Sequence, residues 1–141
     1  MDWSDSCIST VTKDHSHSDE LERRLIEFAS RIIRFSEALP KNATNRHISM
    51  QILRCGTAGA ANYAEARGAE SRADFIHKLG IVRKELNETA AWLKIAAQDV
   101  AVKPENIVAI IQENLELARI ISASIRTARA SAAPAKMTTD H

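Results

Sequence analysis

A chain of 141 residues with 45% hydrophobic and 26% charged positions has the length of one domain and can bury about 70% of the surface that its unfolded form exposes. Its two cysteines, Cys7 and Cys55, are too few and too distant for a disulfide framework. No apolar run approaches the roughly 18 residues of a membrane span and no basic-then-apolar leader opens the chain, so the expected setting is cytoplasmic.

The formal net charge of +1 hides an asymmetry. Residues 1–20 carry five carboxylates against Lys13, a net of −4, whereas residues 21–136 carry 18 Lys and Arg against 12 Asp and Glu, a net of +6. An acidic arm therefore precedes a basic body, and a basic body attracts polyanions.

Residues 1–18, MDWSDSCISTVTKDHSHS, are rich in Ser, Thr and Asp without sustained periodicity and read as a flexible arm. Within it Trp3, Ile8 and Val11 could dock on a partner. The domain proper is expected over residues 19–130. Its first helix is expected to start near Asp19, with Glu22 completing a capping box. Leu21, Leu25, Phe28, Ile32, Phe35 and Leu39 then alternate at steps of four and three, with Ile26 and Ile33 widening the stripe into one that faces two neighbours. Pro40 stops this helix.

A second helix is expected from Thr44 or Asn45 to about Arg67. Ile48, Ile52, Cys55, Gly59 and Asn62 share one face, and Leu53, Gly56, Ala60 and Tyr63 the face beside it. A helical glycine costs about 1 kcal/mol relative to alanine, so Gly56 and Gly59 predict close approach by a neighbouring helix. Gly68 ends the helix, and Ser71 with Asp74 opens the next. That third helix, about Arg72 to Val100, has the cleanest period, through Phe75, Leu79, Val82, Leu86, Thr89, Leu93, Ala96 and Val100. Pro104 suits the first position of a fourth helix running to about Ala130. There Ile107, Ile110, Ile111, Leu115, Ala118, Ile121 and Ile125 form the stripe, flanked by Val108 and Leu117, more apolar surface than one core face needs. From Ser131 to His141 the chain reads as a disordered tail. Four helices with short connections and almost no strand signal make the fold class all-α, an antiparallel up-down-up-down four-helix bundle.

Bundles house di-iron sites built from Glu and Glu-x-x-His pairs. Only Asp74 with His77 has carboxylate-to-histidine spacing, while Glu85/Glu88 and Glu113/Glu116 lack histidines, and His15, His17, His47 and His141 lie elsewhere. A metal-dependent bundle enzyme is therefore the weakest reading, and no cofactor, metal site or catalytic residue is expected. Cys55 lacks an assignable base and reads as a small buried side chain. GTAGAAN has neither the spacing nor the lysine of a phosphate loop. Arg54, Asn62, Glu65, Glu85 and Glu88 are expected to form a polar network between the second and third helices, with Arg54 pairing to Glu85 or Glu88 and fixing register.

Twelve of the 19 basic residues are arginines, the side chain best matched to phosphate. Arg23, Arg24, Arg31 and Arg34 on the first helix, with Arg46, Arg67, Arg72, Lys78 and Arg83 on the second and third, are the candidate nucleic-acid contacts. Aromatics for base stacking are scarce, namely Phe28, Phe35, Tyr63, Phe75 and Trp92 in the helices. Binding should therefore follow backbone and shape rather than sequence.

LRCGTAGAANYAEA followed by SRADFIHKLGIVRKELNETAAWL closely resembles the 23S rRNA intervening-sequence proteins of bacteria. The resemblance covers roughly residues 25–125. Arg54, Gly56, Thr57, Ala61, Asn62, Glu65, Ala66, Ser71, Asp74, Phe75, Lys84, Glu85, Glu88, Thr89, Trp92 and Leu93 fall on the family's pattern. Cys55 and Ala58 stand where serines are common, and Gly59 stands where a bulkier aliphatic is common. The resemblance implies a small helical bundle assembling as a ring-shaped homo-oligomer, a pentamer. It also implies similarity in fold to the accessory variability proteins of diversity-generating retroelements, which bind nucleic acid and a reverse transcriptase. The function expected from charge and resemblance together is a non-enzymatic, oligomeric bundle that binds RNA or another nucleic acid, as accessory to an RNA-processing or reverse-transcribing partner. The alternative is a structural protein–protein adaptor.

Overall fold

Pro40 and the Asn42 cap impose the first break in the chain. Asn42 is extended (φ −147°, ψ 172°) and its side chain accepts from the Asn45 amide at 2.8 Å, satisfying one of the amides a helix start leaves open. The protein, a computed structural model, is described over residues 3–132, with side chains over residues 15–131. Four helices follow in order: α1 (Trp3–Ala38), α2 (Ala43–Arg67), α3 (Arg72–Ala96) and α4 (Pro104–Ala132). Each packs on the next, and α1 closes on α4 along the slightest seam. This is the expected antiparallel four-helix bundle. Ser71 caps α3, accepting from the Asp74 amide at 3.1 Å.

Several element bounds differ from those expected. Helix α1 begins at Trp3 rather than near Asp19. No Gly or Pro occurs before Pro40 to interrupt it, so the local capping signal is overridden. Asp19 lies inside the helix, where its carboxylate accepts from Arg67 Nη2 at 2.6 Å. The side chains of Trp3, Cys7, Ile8 and Val11 lie outside the described ones, as do residues 133–141 of the expected tail. Helix α3 stops at Ala96 instead of Val100, because Asp99 Oδ1 accepts from the Ala101 amide at 3.0 Å and closes a local turn. Val100 is consequently fully exposed, and Val102 packs on the core instead.

The core joins Leu21, Leu25, Phe28, Ile32, Phe35 and Leu39 of α1 to Ile52, Tyr63 and Ala66 of α2, and to Leu79, Val82, Leu86, Leu93 and Ala96 of α3. On α4 the buried stripe is rotated from the expected one. Leu117 is buried while Leu115 is 40% exposed, and the position between Ile110 and Leu117 on the inner seam is Asn114, fully buried. Asn114 Nδ2 donates to the Leu86 carbonyl at 2.9 Å, tying α4 to α3, and its Oδ1 has no partner among the described residues. Leaving such a buried acceptor unpaired costs about 1–3 kcal/mol.

The glycine argument divides. A Cβ at Gly56 would stand 2.7 Å from Ile32 Cγ2 and 2.9 Å from Ile32 Cγ1, so the close approach of α1 to α2 requires glycine there. At Gly59 the added carbon would meet Leu25 and Leu86 at an ordinary 3.7 Å, and at Gly80 it would meet nothing within 4 Å. Gly59→Ala is therefore expected to stabilise the protein by about 1 kcal/mol, raising the melting temperature by about 2–4 °C. Calorimetry of that single variant checks it; a lowered midpoint would mean that the helices approach more closely at Gly59 than these distances allow.

Candidate nucleic-acid interface

The α2–α3 seam collects the polar residues of the sequence's densest stretch. Arg54 reaches across from α2 to Glu88, to which its Nη2 donates, and its Nη1 lies 3.6 Å from Glu85 Oε2. Glu88 also accepts from Trp92 Nε1 at 3.4 Å, and Trp92 meets His47 edge-to-face with ring centroids 5.7 Å apart. Lys78 pairs with Glu65 at 2.9 Å. Asn62 takes no part in this seam. It is half-buried and donates to the Ala58 carbonyl of its own helix at 2.9 Å, a local bond that short polar side chains make readily inside helices. Among the described residues no group of three His, Cys, Asp or Glu side chains could hold a metal ion.

Cys55 is fully buried, and its Sγ donates to the Gln51 carbonyl at 2.9 Å. Burial pushes its thiol pKa up, only partly opposed by a hydrogen bond with Thr89. Thiolate is the reactive form, so Cys55 should resist alkylation by iodoacetamide at pH 8 in the native protein and react once urea unfolds it. Mass spectrometry of the Cys55 peptide tests this; rapid native labelling would show the α2–α3 seam opening.

The basic candidates divide sharply by partner. Arg23 pairs with Glu20 and Glu27, both at 2.7 Å, and Arg24 grips Glu113 of α4 with two bonds of 3.1 Å. Arg67 ties the end of α2 to Asp19 and Glu22 of α1. These partners hold Arg23, Arg24, Arg67 and Lys78 more firmly protonated than usual: Glu20 foremost for Arg23, Glu113 for Arg24, Asp19 for Arg67 and Glu65 for Lys78. Each must give up a carboxylate to take a phosphate. Arg34 donates to Ser30 Oγ at 3.0 Å. Arg31 stands beside Glu113 and Glu116 on the α1–α4 side, and Arg46 borders a groove between α1 and α2.

Arg72 and Arg83 belong to a different set. With Lys94 they follow one another at intervals of 11 residues, three helical turns or about 16 Å, so all three keep one helical phase, on the flank of α3 opposite Glu85 and Glu88, which reach Arg54 of α2. On α4 Arg129 falls on the flank opposite Glu113, which reaches Arg24 of α1, and Arg126 is exposed about one turn before it. None of these five side chains makes an ion pair or hydrogen bond among the described residues. The carboxylates of the two helices are turned elsewhere. Glu85 and Glu88 meet Arg54 of α2, Asp74 lies beside Lys78, Glu113 meets Arg24 of α1, and Glu105 and Glu116 line the α1–α4 side. The α3–α4 face is thus a basic strip free of helix carboxylates. Lys94 extends the candidate set and is legible in its 11-residue spacing from Arg72 and Arg83, whereas Arg126 and Arg129 carry no such local signal.

A four-helix bundle carrying a basic strip, with helix-to-helix ion pairs elsewhere, is the class of protein these features define. The chain belongs to the 23S rRNA-intervening sequence protein family, whose sequence model matches residues 20–123. It is similar to a crystallised protein of unknown function from the S23 ribosomal protein family of Bacteroides thetaiotaomicron. The two are 35% identical with a TM-score of 0.72, over 77% of this chain and 97% of that one. No curated protein matches the chain. Among the described residues no helix is long and apolar enough to cross a membrane.

Proposed function

We propose that this protein is a non-enzymatic, homo-oligomeric bundle that binds RNA through the phosphate backbone, using the α3–α4 strip of Arg72, Arg83, Lys94, Arg126 and Arg129. The observation that carries this reading is that these five cations have neither partners among the described residues nor helix carboxylates beside them. The family's name, 23S rRNA-intervening sequence protein, supports RNA over DNA. Phosphate contacts of this kind position a protein without reading sequence. Among the described side chains aromatic platforms are missing as well: Phe28, Phe35 and Tyr63 are buried, Phe75 packs on the core and Trp92 is held on the α2–α3 seam. Such a protein serves as accessory to an RNA-processing or reverse-transcribing enzyme, holding the nucleic acid rather than altering it.

The test is titration of an RNA hairpin of arbitrary sequence at low and moderate salt. Binding that weakens steeply with salt is expected, and undetectable binding at low salt overturns the reading. Light scattering should give a mass several times 15.6 kDa, and a clean monomer would remove the assembly. A second reading, the protein adaptor, is favoured by Val108 and Leu115, which are 48% and 40% exposed on α4. An adaptor keeps its protein partner when the basic strip is neutralised.

A further inference from the structure

The α1–α2 face, away from the basic strip, holds a groove that the proposed function leaves unused. It opens where the last turns of α1, the Pro40 corner and the first half of α2 meet, and encloses about 330 Å³, at the small end of the range for ligand sites. Ile33, Met50 and Leu53 wall one end and are 41%, 65% and 41% exposed. The other end is polar, formed by Ser36, Lys41, Asn42, Asn45, Arg46 and Ser49.

One side chain there has no role in holding the fold. The Arg46 guanidinium makes no ion pair or hydrogen bond among the described residues, whereas Ser36, only 7% exposed, ties α1 to α2 through its carbonyl, which accepts from Ser49 Oγ at 3.3 Å. Lys41 Nζ donates to the Glu37 carbonyl at 2.9 Å and keeps further donors for another acceptor. The Glu37 carboxylate borders the same groove, one anion against two cations.

We propose that this groove is a binding site for a small amphipathic anion, with an apolar body lying on Ile33, Met50 and Leu53 and a single carboxylate head at Arg46 and Lys41. The apolar wall excludes a fully polar anion such as free phosphate, whose affinity would rest on surface cations alone. The two cations distinguish a carboxylate from a neutral body of the same shape. The inference is independent of the RNA-binding reading, since the two faces share no residue.

The test is a titration of the ¹⁵N-labelled full chain with sodium octanoate, followed through backbone amide shifts. Saturable shifts are expected at Ile33, Ser36, Arg46, Ser49 and Leu53. 1-Octanol, which has the same body without the charge, should bind about 10-fold more weakly, and Arg46→Glu should weaken octanoate by about 10-fold while leaving 1-octanol unchanged. Leu53→Trp, which fills the apolar end, should abolish both. The proposal is overturned by absent or unsaturable shifts, by equal binding of octanoate and 1-octanol, or by an Arg46→Glu variant that binds octanoate normally. It is also overturned if Met50→Glu converts an oligomer to monomers in light scattering, since the groove would then be covered by a second copy of the chain.

Discussion

Gly56→Val is expected to destabilise the bundle by about 3 kcal/mol, the largest single effect of any one-residue change outside the apolar core. Placing even one carbon at this position puts it 2.7 Å and 2.9 Å from two atoms of Ile32, which is itself fully buried and has nowhere to move. The loss exceeds the gain of about 1 kcal/mol that replacing a helical glycine would otherwise bring. Gly56→Ala should therefore lower stability where Gly59→Ala raises it, an opposite sign at two glycines one turn apart. Trimming the neighbour separates clash from propensity: Gly56→Ala combined with Ile32→Val should be less destabilised than the sum of the two single changes. Urea unfolding of the four proteins measures the coupling. Additive losses, or a Gly56→Ala variant that unfolds at higher urea than the parent, would show that α1 and α2 do not meet as closely as their backbones indicate.

The same pair of helices shows how far the amino-acid sequence carries the fold. Four-three spacing located the α1 and α3 core positions because each such helix buries one regular stripe, and the Arg54 pairing to Glu85 and Glu88 followed from two facing helices with complementary charge. On α4 the apolar residues cover too much of the circumference for the pattern to choose a face. Counting hydrophobic side chains favoured Leu115, whereas the seam through Ile107, Ile110, Leu117 and Ile121 buries the amide of Asn114. Helix bonding to Leu86 compensates half of that amide, a contact between residues 28 apart that no local pattern contains. Ile26 and Ile33 illustrate the opposite error. They sit beside the α1 seam, yet they are 56% and 41% exposed.

The candidate interface was less legible than the fold for a related reason. Basic residues can be counted in a sequence, but whether each is already neutralised depends on carboxylates brought from other helices. Arg67 and Asp19 are 48 positions apart and Arg24 and Glu113 are 89 apart. Of the nine basic candidates, Arg24, Arg67 and Lys78 turn to such partners and Arg23 is held by Glu20 and Glu27 of its own helix, while Arg126 and Arg129 emerge only once α3 and α4 are laid side by side. The relevant quantity is the free cation on a common face rather than the net charge of the body.

Reversing three of these charges, Arg72→Glu, Arg83→Glu and Arg126→Glu together, is expected to weaken RNA binding by about 100-fold or more at low salt. Because none of the three makes an ion pair among the described residues, the melting temperature should stay close to that of the parent, so the loss is read on a folded protein. Each phosphate neutralised releases counterions and contributes about −0.9 to the slope of log affinity against log salt on a duplex. If all five cations of the strip engage phosphates, the parent slope is about −4.5 and the triple variant retains about −1.8 at most. Removing cations that already hold carboxylates should behave differently. Arg23→Gln with Arg119→Gln takes the same sign of charge from sites paired to Glu20, Glu27 and Glu116, and should change affinity by no more than about 3-fold, the scale of a rim charge screened by salt. Fluorescence anisotropy with a labelled hairpin between 50 and 200 mM salt, about a 100-fold change in affinity or more for the parent, supplies both readouts. Losses of log affinity in proportion to the charge removed, about six units in the triple variant against about two in the pair, would mean that the protein responds only to its total charge, and the α3–α4 strip would have no special part in binding.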